Sequence, residues 1–382
     1  MIDQIKDKFF SLYQQEPLLF RSPGRVNLIG EHTDYNEGFV LPAAINKEIY
    51  FAVAPNGTQA FRAYSYDMDE SATFDLTEVQ PSQLGWANYL LGVVAQFQKA
   101  GHHIPGFDLV FGGNIPIGAG LSSSAAVECG LAFALNQIYG LGVEKFDLVK
   151  MAQKAEHEYA GVMCGIMDQF ASMFGKSGHV VKLDCRSLEY EYFTSDLDEY
   201  RIVLLDTQVK HSLASSEYNT RRQECEAGVA LLRQHYPQVN SLRDVTVEML
   251  EKHEQEFEPV TYKRCLYVVQ ENNRVLEACQ DLAQGNLKGF GEKMYASHEG
   301  LQHQYEVSCP ELDFLVEQAR KNQAVLGARM MGGGFGGCTI NIVHANKIEE
   351  YTQQASTAYQ EHFGREPKVY VAQIVDGSSQ IS

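Results

Sequence analysis

The chain has 382 residues, 45% hydrophobic and 21% charged, with 31 Lys and Arg against 49 Asp and Glu and a formal charge of −18. This describes a globular protein of two intimately packed domains. It argues against a surface that wraps nucleic acid or lies on an anionic membrane, so any phosphate site must be local.

No apolar run reaches the roughly 18 residues that a bilayer requires. The start, Met1 to Lys8, has acidic residues where a signal peptide would be basic and then apolar. A cytoplasmic protein is the expectation. The eight cysteines are scattered with no Cys-x-x-Cys pair and read as buried thiols. No His-Glu-x-x-His pair occurs, so no zinc is expected.

Short strands near 38–41, 47–54, 60–66, 107–111 and 179–184 alternate with helices near 87–99, 123–139, 146–160 and 167–174. That mixture predicts an α/β or α+β unit to about residue 195. A second half opens with a strand at 201–206 and turns helical from Ser215 to about Gly285. It returns to strands at 324–326 and 338–343, with glycines between them. No Pro/Gly-rich linker separates the halves, so units 1–195 and 196–382 are expected to share a cleft. The acidic stretch Val247 to Glu258 reads as a solvated helix or insertion surface without functional weight.

The most informative stretch is Gly113 to Ala126, where a β-prone segment turns into a helix through small residues alone. Gly118, Ala119, Gly120 and Leu121 allow close backbone approach. Ser122, Ser123 and Ser124 offer hydroxyls and a cap, and the helix start presents unpaired N–H groups to an anion. An ordinary capped turn is the alternative for any one such segment. Gly332 to Gly337 formally satisfies Gly-x-Gly-x-x-Gly, but a strand follows it where the dinucleotide fingerprint needs a helix. A glycine turn packing its bare backbone against another loop or a ligand fits better. Lys176-Ser177 lacks the upstream glycine of a Walker loop, and the protein-kinase triplets are absent.

Arg21 to Tyr35 crowds Glu31, His32, Asp34 and Tyr35 into a turn after Gly30. Such density suits a polyhydroxylated ligand, whose hydroxyls donate to carboxylates. A metal-binding or purely structural polar turn is the alternative. Asp168, in an apolar setting just after Gly165, would as an isolated residue be an N-cap.

Taken together these segments resemble the GHMP kinase superfamily and, within it, the galactokinase family. The resemblance rests on Gly24 to Tyr35, Ile115 to Ala126, Cys164 to Phe170, Val209 to Tyr218 and Met331 to Cys338. It implies a two-domain α+β/α/β fold: an N-terminal domain of ribosomal-protein-S5 type with a left-handed βαβ crossover, a C-terminal α/β domain, and a site between them. The implied reaction is phosphorylation of D-galactose at its C1 oxygen by MgATP.

In that reading Asp168 is the general base and Arg25 lies beside it. Glu31, His32, Thr33, Asp34, Gly165 and Tyr218 bind the sugar. Gly118 to Ser124 wrap the triphosphate, with Trp86 and Ser65 at the adenine, although a lone Trp is otherwise usually core. Mg2+ is held by Ser124 and Glu156, with Ser122 or Ser123 and Glu158 as substitutes. A monomer is expected, with an oligomer left open. Two alternatives stay open: an N-acetylgalactosamine kinase of the same fold, and a sugar- and ATP-binding regulator without turnover.

Overall fold

Residues 107–111 read Phe-Asp-Leu-Val-Phe, and alternation sends their side chains to two covered faces of one central strand. Val110, with Ala52, Ala54 and Tyr64, packs against Ile5 and Phe9 of an N-terminal helix. Leu109 and Phe111, with Phe51, Val53 and Phe61, face the opposite way onto helices that carry Leu90, Val94, Leu131 and Leu135. The strand is central because neither of its faces tolerates water.

The computed structural model describes residues 1–116, 118–194, 197, 199–209 and 214–381. Ile117, residues 210–213 of the segment Val209 to Tyr218, and the expected division between 195 and 196 lie outside the described residues. The first half runs α1 (Ile2–Tyr13), β1 (Leu18–Asn27), β2 (Phe39–Val40), β3 (Pro42–Pro55), β4 (Ala60–Ser65), β5 (Glu70–Asp75), α2 (Gly85–Lys99), β6 (Phe107–Gly113), α3 (Ser123–Ile138), α4 (Lys145–Ala155), α5 (Met167–Phe174), β7 (His179–Asp184) and β8 (Tyr190–Thr194). The second runs β9 (Tyr200–Asp206), α6 (Ala214–His235), α7 (Val247–Lys252), α8 (Pro259–Ala283), α9 (Leu287–His303), α10 (Pro310–Lys321), β10 (Val325–Met330), β11 (Cys338–His344), α11 (Ile348–Phe363), β12 (Lys368–Ala372) and β13 (Ser379–Ile381).

The first sheet has the order β13-β1-β3-β6-β4-β5, and the second β10-β11-β9-β12; β2, β7 and β8 form a small third sheet. Among the described residues all strand pairings are antiparallel except β4 with β6, which β5 and α2 separate along the chain. The last strand, β13, pairs with β1, so the chain end returns to the first sheet. The largest apolar cluster draws on both halves, with Ile340, Met294 and Met331 joining Phe51 and Leu135. Among the described residues, no helix is long and apolar enough to cross a membrane.

The second sheet meets α9 through bare backbone. A Cβ at Gly291 would press on the Leu326 carbonyl, and Gly327 of β10 faces Gly291 from the other side. Gly291→Ala gains about 1 kcal/mol of helix propensity but forces α9 off a strand that cannot recede, an overpacking cost of about 1–3 kcal/mol. A lower urea midpoint at unchanged m-value is expected; a midpoint at or above the wild type's would contradict this packing.

Candidate functional site

The site begins at Gly24. β1 and β3 slip register between Pro23 and Arg25, and a Cβ at Gly24 would stand 2.5 Å from the Leu121 carbonyl oxygen. A bulge of this kind re-aims the side chain that follows it. The Arg25 N–H donates to the Leu121 carbonyl at 3.1 Å. Its Nε and Nη2 donate to Asp168 Oδ1 and Oδ2, each at 2.7 Å, and Nη1 donates to the Gly120 carbonyl at 2.6 Å.

This two-pronged pair fixes both side chains in one plane. Burial works against the charge of Arg25, but the Asp168 carboxylate together with the charges of Glu31 and Asp34 outweighs it, holding the guanidinium above its ordinary range. Asp168 lies in the first turn of α5, where the helix dipole favours an anion. The cap position belongs to Ile166, so the N-cap role open to Asp168 is not the one it takes.

Ser122 corrects the expectation of a serine cap on α3. It occupies the cap position with φ 60, but its side chain makes no cap hydrogen bond; the hydroxyl donates to Asp168 Oδ2 instead. The first-turn N–H groups of α3 are therefore left without a cap from that side chain. Gly118 and Gly120 have φ 80 and 75, which glycine adopts without steric cost. Ala119 and Leu121 are buried at the base of the loop. The glycine run joins antiparallel β10 to β11 and folds onto this loop, where a Cβ at Gly332 would lie 3.2 Å from the Gly120 carbonyl oxygen. Backbone packed on backbone is the role expected for that run.

Two cavities flank the loop. The first is lined by Arg25, Glu31, His32, Asp34, Ser122, Glu156, Asp168 and Tyr218, with Gly332 and Gly333. Thr33 does not line it. Its hydroxyl is held between the Gly30 and Phe39 carbonyls at 2.9 and 2.7 Å, so its role is to close the turn. Gly165 lies behind Asp34, whose carboxylate occupies the space a Cβ would need. The second cavity is lined by Ser65, Trp86, Tyr89, Phe111, Ser123 and Ser124. Trp86 is partly buried there, its indole N–H donating to Glu70 Oε2 at 2.6 Å.

The polar turn is held by residues from the second half. Arg329, fully buried on β10, lies 2.6 Å from Glu31 Oε2, and its Nε donates to the Leu28 carbonyl at 2.8 Å. Glu271 of α8 accepts from the Gly30 N–H at 3.0 Å and from Ser297 at 2.6 Å. His32 sits at φ 61, a strained conformation for a non-glycine residue. Its Nδ1 lies 2.8 Å from the Tyr35 hydroxyl, which reaches Tyr305 at 2.7 Å. Burial lowers the His32 pKa to about 3, so its ring is neutral, and its buried Nε2 has no hydrogen-bond partner.

The acidic residues beside the loop are crowded and dry. Glu156 opens a π-helical turn, Glu156–Ala160, that follows α4; such turns recur at functional sites. It accepts from Gln169 Nε2 at 2.7 Å, and the Ser124 hydroxyl bonds to it. Burial first, then the Asp168 charge, raise its pKa to about 7. Glu128, one turn along α3 from Ser124, is fully buried with Oε1 unpartnered. Burial and the Glu156 charge push its pKa well above the ordinary range. Glu158 faces away, pairing with Lys99 and accepting from Gln96 at 2.7 Å.

Comparison with known proteins identifies the chain's relatives. The galactokinase galactose-binding signature matches residues 7–55, and the GHMP kinase N-terminal and C-terminal models match 88–176 and 276–360. The chain is 41% identical to the galactokinase of Thermotoga maritima, covering 94% of this chain and 99% of that one. The crystal structure of Lactococcus lactis galactokinase complexed with galactose superposes with a TM-score of 0.96 at 37% identity, over 99% of both chains.

The chain belongs to the galactokinase family.

The Methanococcus jannaschii mevalonate kinase, 17% identical with a TM-score of 0.67 over 95% of this chain and all of that one, shares the GHMP kinase fold. As a galactokinase-family kinase the enzyme uses ATP as its phosphoryl donor. Arg329, Glu128, Glu271 and Tyr305 went unseen in the sequence. Two of them left a trace there: Arg329 is a lone charge in an apolar strand, and Glu128 a lone carboxylate in the Ala- and Leu-rich helix α3. Glu271 with Arg274 reads as an ordinary i,i+3 surface pair.

Burial, then the Asp168 charge, raise Asp34 from its ordinary 3.8 to about 7. The unfolded chain releases this proton near the ordinary value, and the folded chain keeps it until about 7. Between those values the folded form binds the extra proton, so stability falls as pH rises, and above about 7 the loss is complete. Ligand-free Asp34→Asn is expected to exceed the wild type in thermal stability at about pH 8, with the gain shrinking toward about pH 5. A gain independent of pH in the melting curves would contradict the buried-charge argument.

Proposed function

We propose that the enzyme transfers the γ-phosphoryl group of ATP to the anomeric oxygen of D-galactose, giving galactose 1-phosphate and ADP. The observation that carries this reading is the Arg25–Asp168 pair at the junction of the polar cavity and the phosphate loop. In it, residues 1–195 contribute the loop, the base and most sugar ligands, while 196–382 contribute Tyr218 and the glycine run.

The sugar sits in the first cavity with its hydroxyls donating to Asp34 and Glu31 and accepting from Tyr218. The neutral ring of His32 offers Nε2, and the Tyr35–Tyr305 chain orients it. A sugar lacking one of these hydroxyls would leave a buried carboxylate unpaired, which is costlier than a missing methylene. The triphosphate runs past Gly118 to Ser124, where the uncapped N–H groups and dipole of α3 replace the lysine of a Walker loop. Adenine fills the second cavity against Trp86, near Ser65.

Asp168 takes the C1 hydroxyl proton as the new O–P bond forms and the bond to the ADP oxygen breaks. A loose phosphoryl-transfer transition state needs little nucleophile activation, so Asp168 works mainly by orienting the hydroxyl and receiving its proton late. Arg25 meets the charge on the transferring group, and the fork to Asp168 holds it there beforehand.

Magnesium fits the residues present. Glu156, Ser124 and the partner-poor Glu128 form a hard-oxygen set whose mutual repulsion a divalent cation relieves. Ser124 and Glu156 would hold it, and its chemistry is to neutralise charge on the β- and γ-phosphates.

Asp168→Ala is expected to lower kcat with galactose by at least about 100-fold while ATP affinity, followed by calorimetry, stays within about threefold. Near-normal turnover in this variant would rule Asp168 out as the base.

A further inference from the structure

The segment between α6 and α8 carries a cluster remote from the kinase site. His235 ends α6; the chain then turns through α7 and comes back at His253 and Glu256 before α8 begins at Pro259. His235 Nε2 lies 2.8 Å from Glu256 Oε2, and His253 Nδ1 lies 2.7 Å from Glu256 Oε1. The two imidazoles stack with centroids 3.9 Å apart. The donor atoms of all three side chains fall within 4.8 Å of one another.

We propose that His235, His253 and Glu256 bind one transition-metal ion of the zinc class. Two imidazole nitrogens and one carboxylate oxygen are an established donor set for that ion, with water completing a tetrahedron. His253 is the buried member, and its far nitrogen, Nε2, lies 3.3 Å from the Tyr236 hydroxyl. A hydroxyl can accept as well as donate. With Tyr236 accepting from Nε2–H, the Nδ1 lone pair turns toward Glu256, the supporting arrangement that metal-bound imidazoles require.

Imidazole donors favour zinc, nickel or copper over magnesium, so this site does not compete for the ion that accompanies ATP. Its three ligands come from the end of one helix and the turn after another, with spacings that match no zinc motif, which is why no zinc was expected from the sequence. Bound metal would clasp the end of α6 to the returning chain. Tyr218 sits roughly five turns earlier on the same helix. An ion that binds only the folded form raises its stability by mass action.

The test is zinc titration of the full chain by calorimetry without nucleotide, paired with thermal melting and cobalt absorption. One ion per chain, a higher melting temperature with zinc, and cobalt bands without thiolate charge transfer are expected. Glu256→Gln and the double variant His235→Ala/His253→Ala should each lose at least about tenfold in zinc affinity. Both should keep wild-type magnesium-dependent turnover and a melting temperature close to the wild type's without zinc. Equal zinc binding in wild type and both variants would overturn the proposal, as would no binding by the wild type. Thiolate bands from cobalt, or zinc binding lost in Glu156→Gln but kept in Glu256→Gln, would move the ion elsewhere and also overturn it.

Discussion

The fork between Arg25 and Asp168 is the contact on which the site depends. It joins three elements that share no backbone ladder with one another as a set: the bulged edge of β1, the loop before α3 through the Gly120 carbonyl and Ser122, and the first turn of α5. A single-pronged lysine could pair with Asp168 but could not hold the carboxylate plane and the loop together. The bulge at Gly24 exists in service of this contact, because the close approach to Leu121 sets where Arg25 leaves the strand.

Around that fork the described residues bury more carboxyl groups than cationic partners. Among the described residues Glu31 has Arg329 and Asp168 has Arg25, but Asp34, Glu128 and Glu156 make no ion pair, and burial pushes their pKa values upward. An arrangement so unfavourable in the free protein is what a site evolved to receive hydroxyl donors and a cation looks like. The strained backbone of His32 and Ser122 points the same way, since both are held there by bonds to other site residues. The second half supplies the restraint: Arg329, Glu271 and Tyr305 all reach back to hold the turn at 30–35.

Much of this was legible in the sequence, for identifiable reasons. Helices 123–138 and 167–174 and strands 107–113 and 179–184 carry clean periodicity, and the glycine runs declare close backbone approach. The ten-residue strand β1 escaped notice because Arg21, Ser22, Pro23, Gly24 and Arg25 interrupt its apolar pattern, and that interruption is the bulge that builds the site. β13 escaped because three residues carry no period, and its place beside β1 is a long-range fact. Thr33 reads as a sugar ligand from its neighbours, yet its hydroxyl is committed to the turn's own carbonyls. Glu128 and Arg329 read as exceptions within apolar elements, and only tertiary packing tells which exceptions converge.

The measurement that tests the central claim most directly is phosphorus NMR of the product formed from ATP with galactose, N-acetylgalactosamine, glucose and mevalonate in parallel. The account predicts ADP release with galactose and a phosphate coupled to the anomeric proton, with the other three turned over far more slowly. Phosphate at another carbon, preferred turnover of N-acetylgalactosamine, or tight galactose binding with no ADP formed would contradict it.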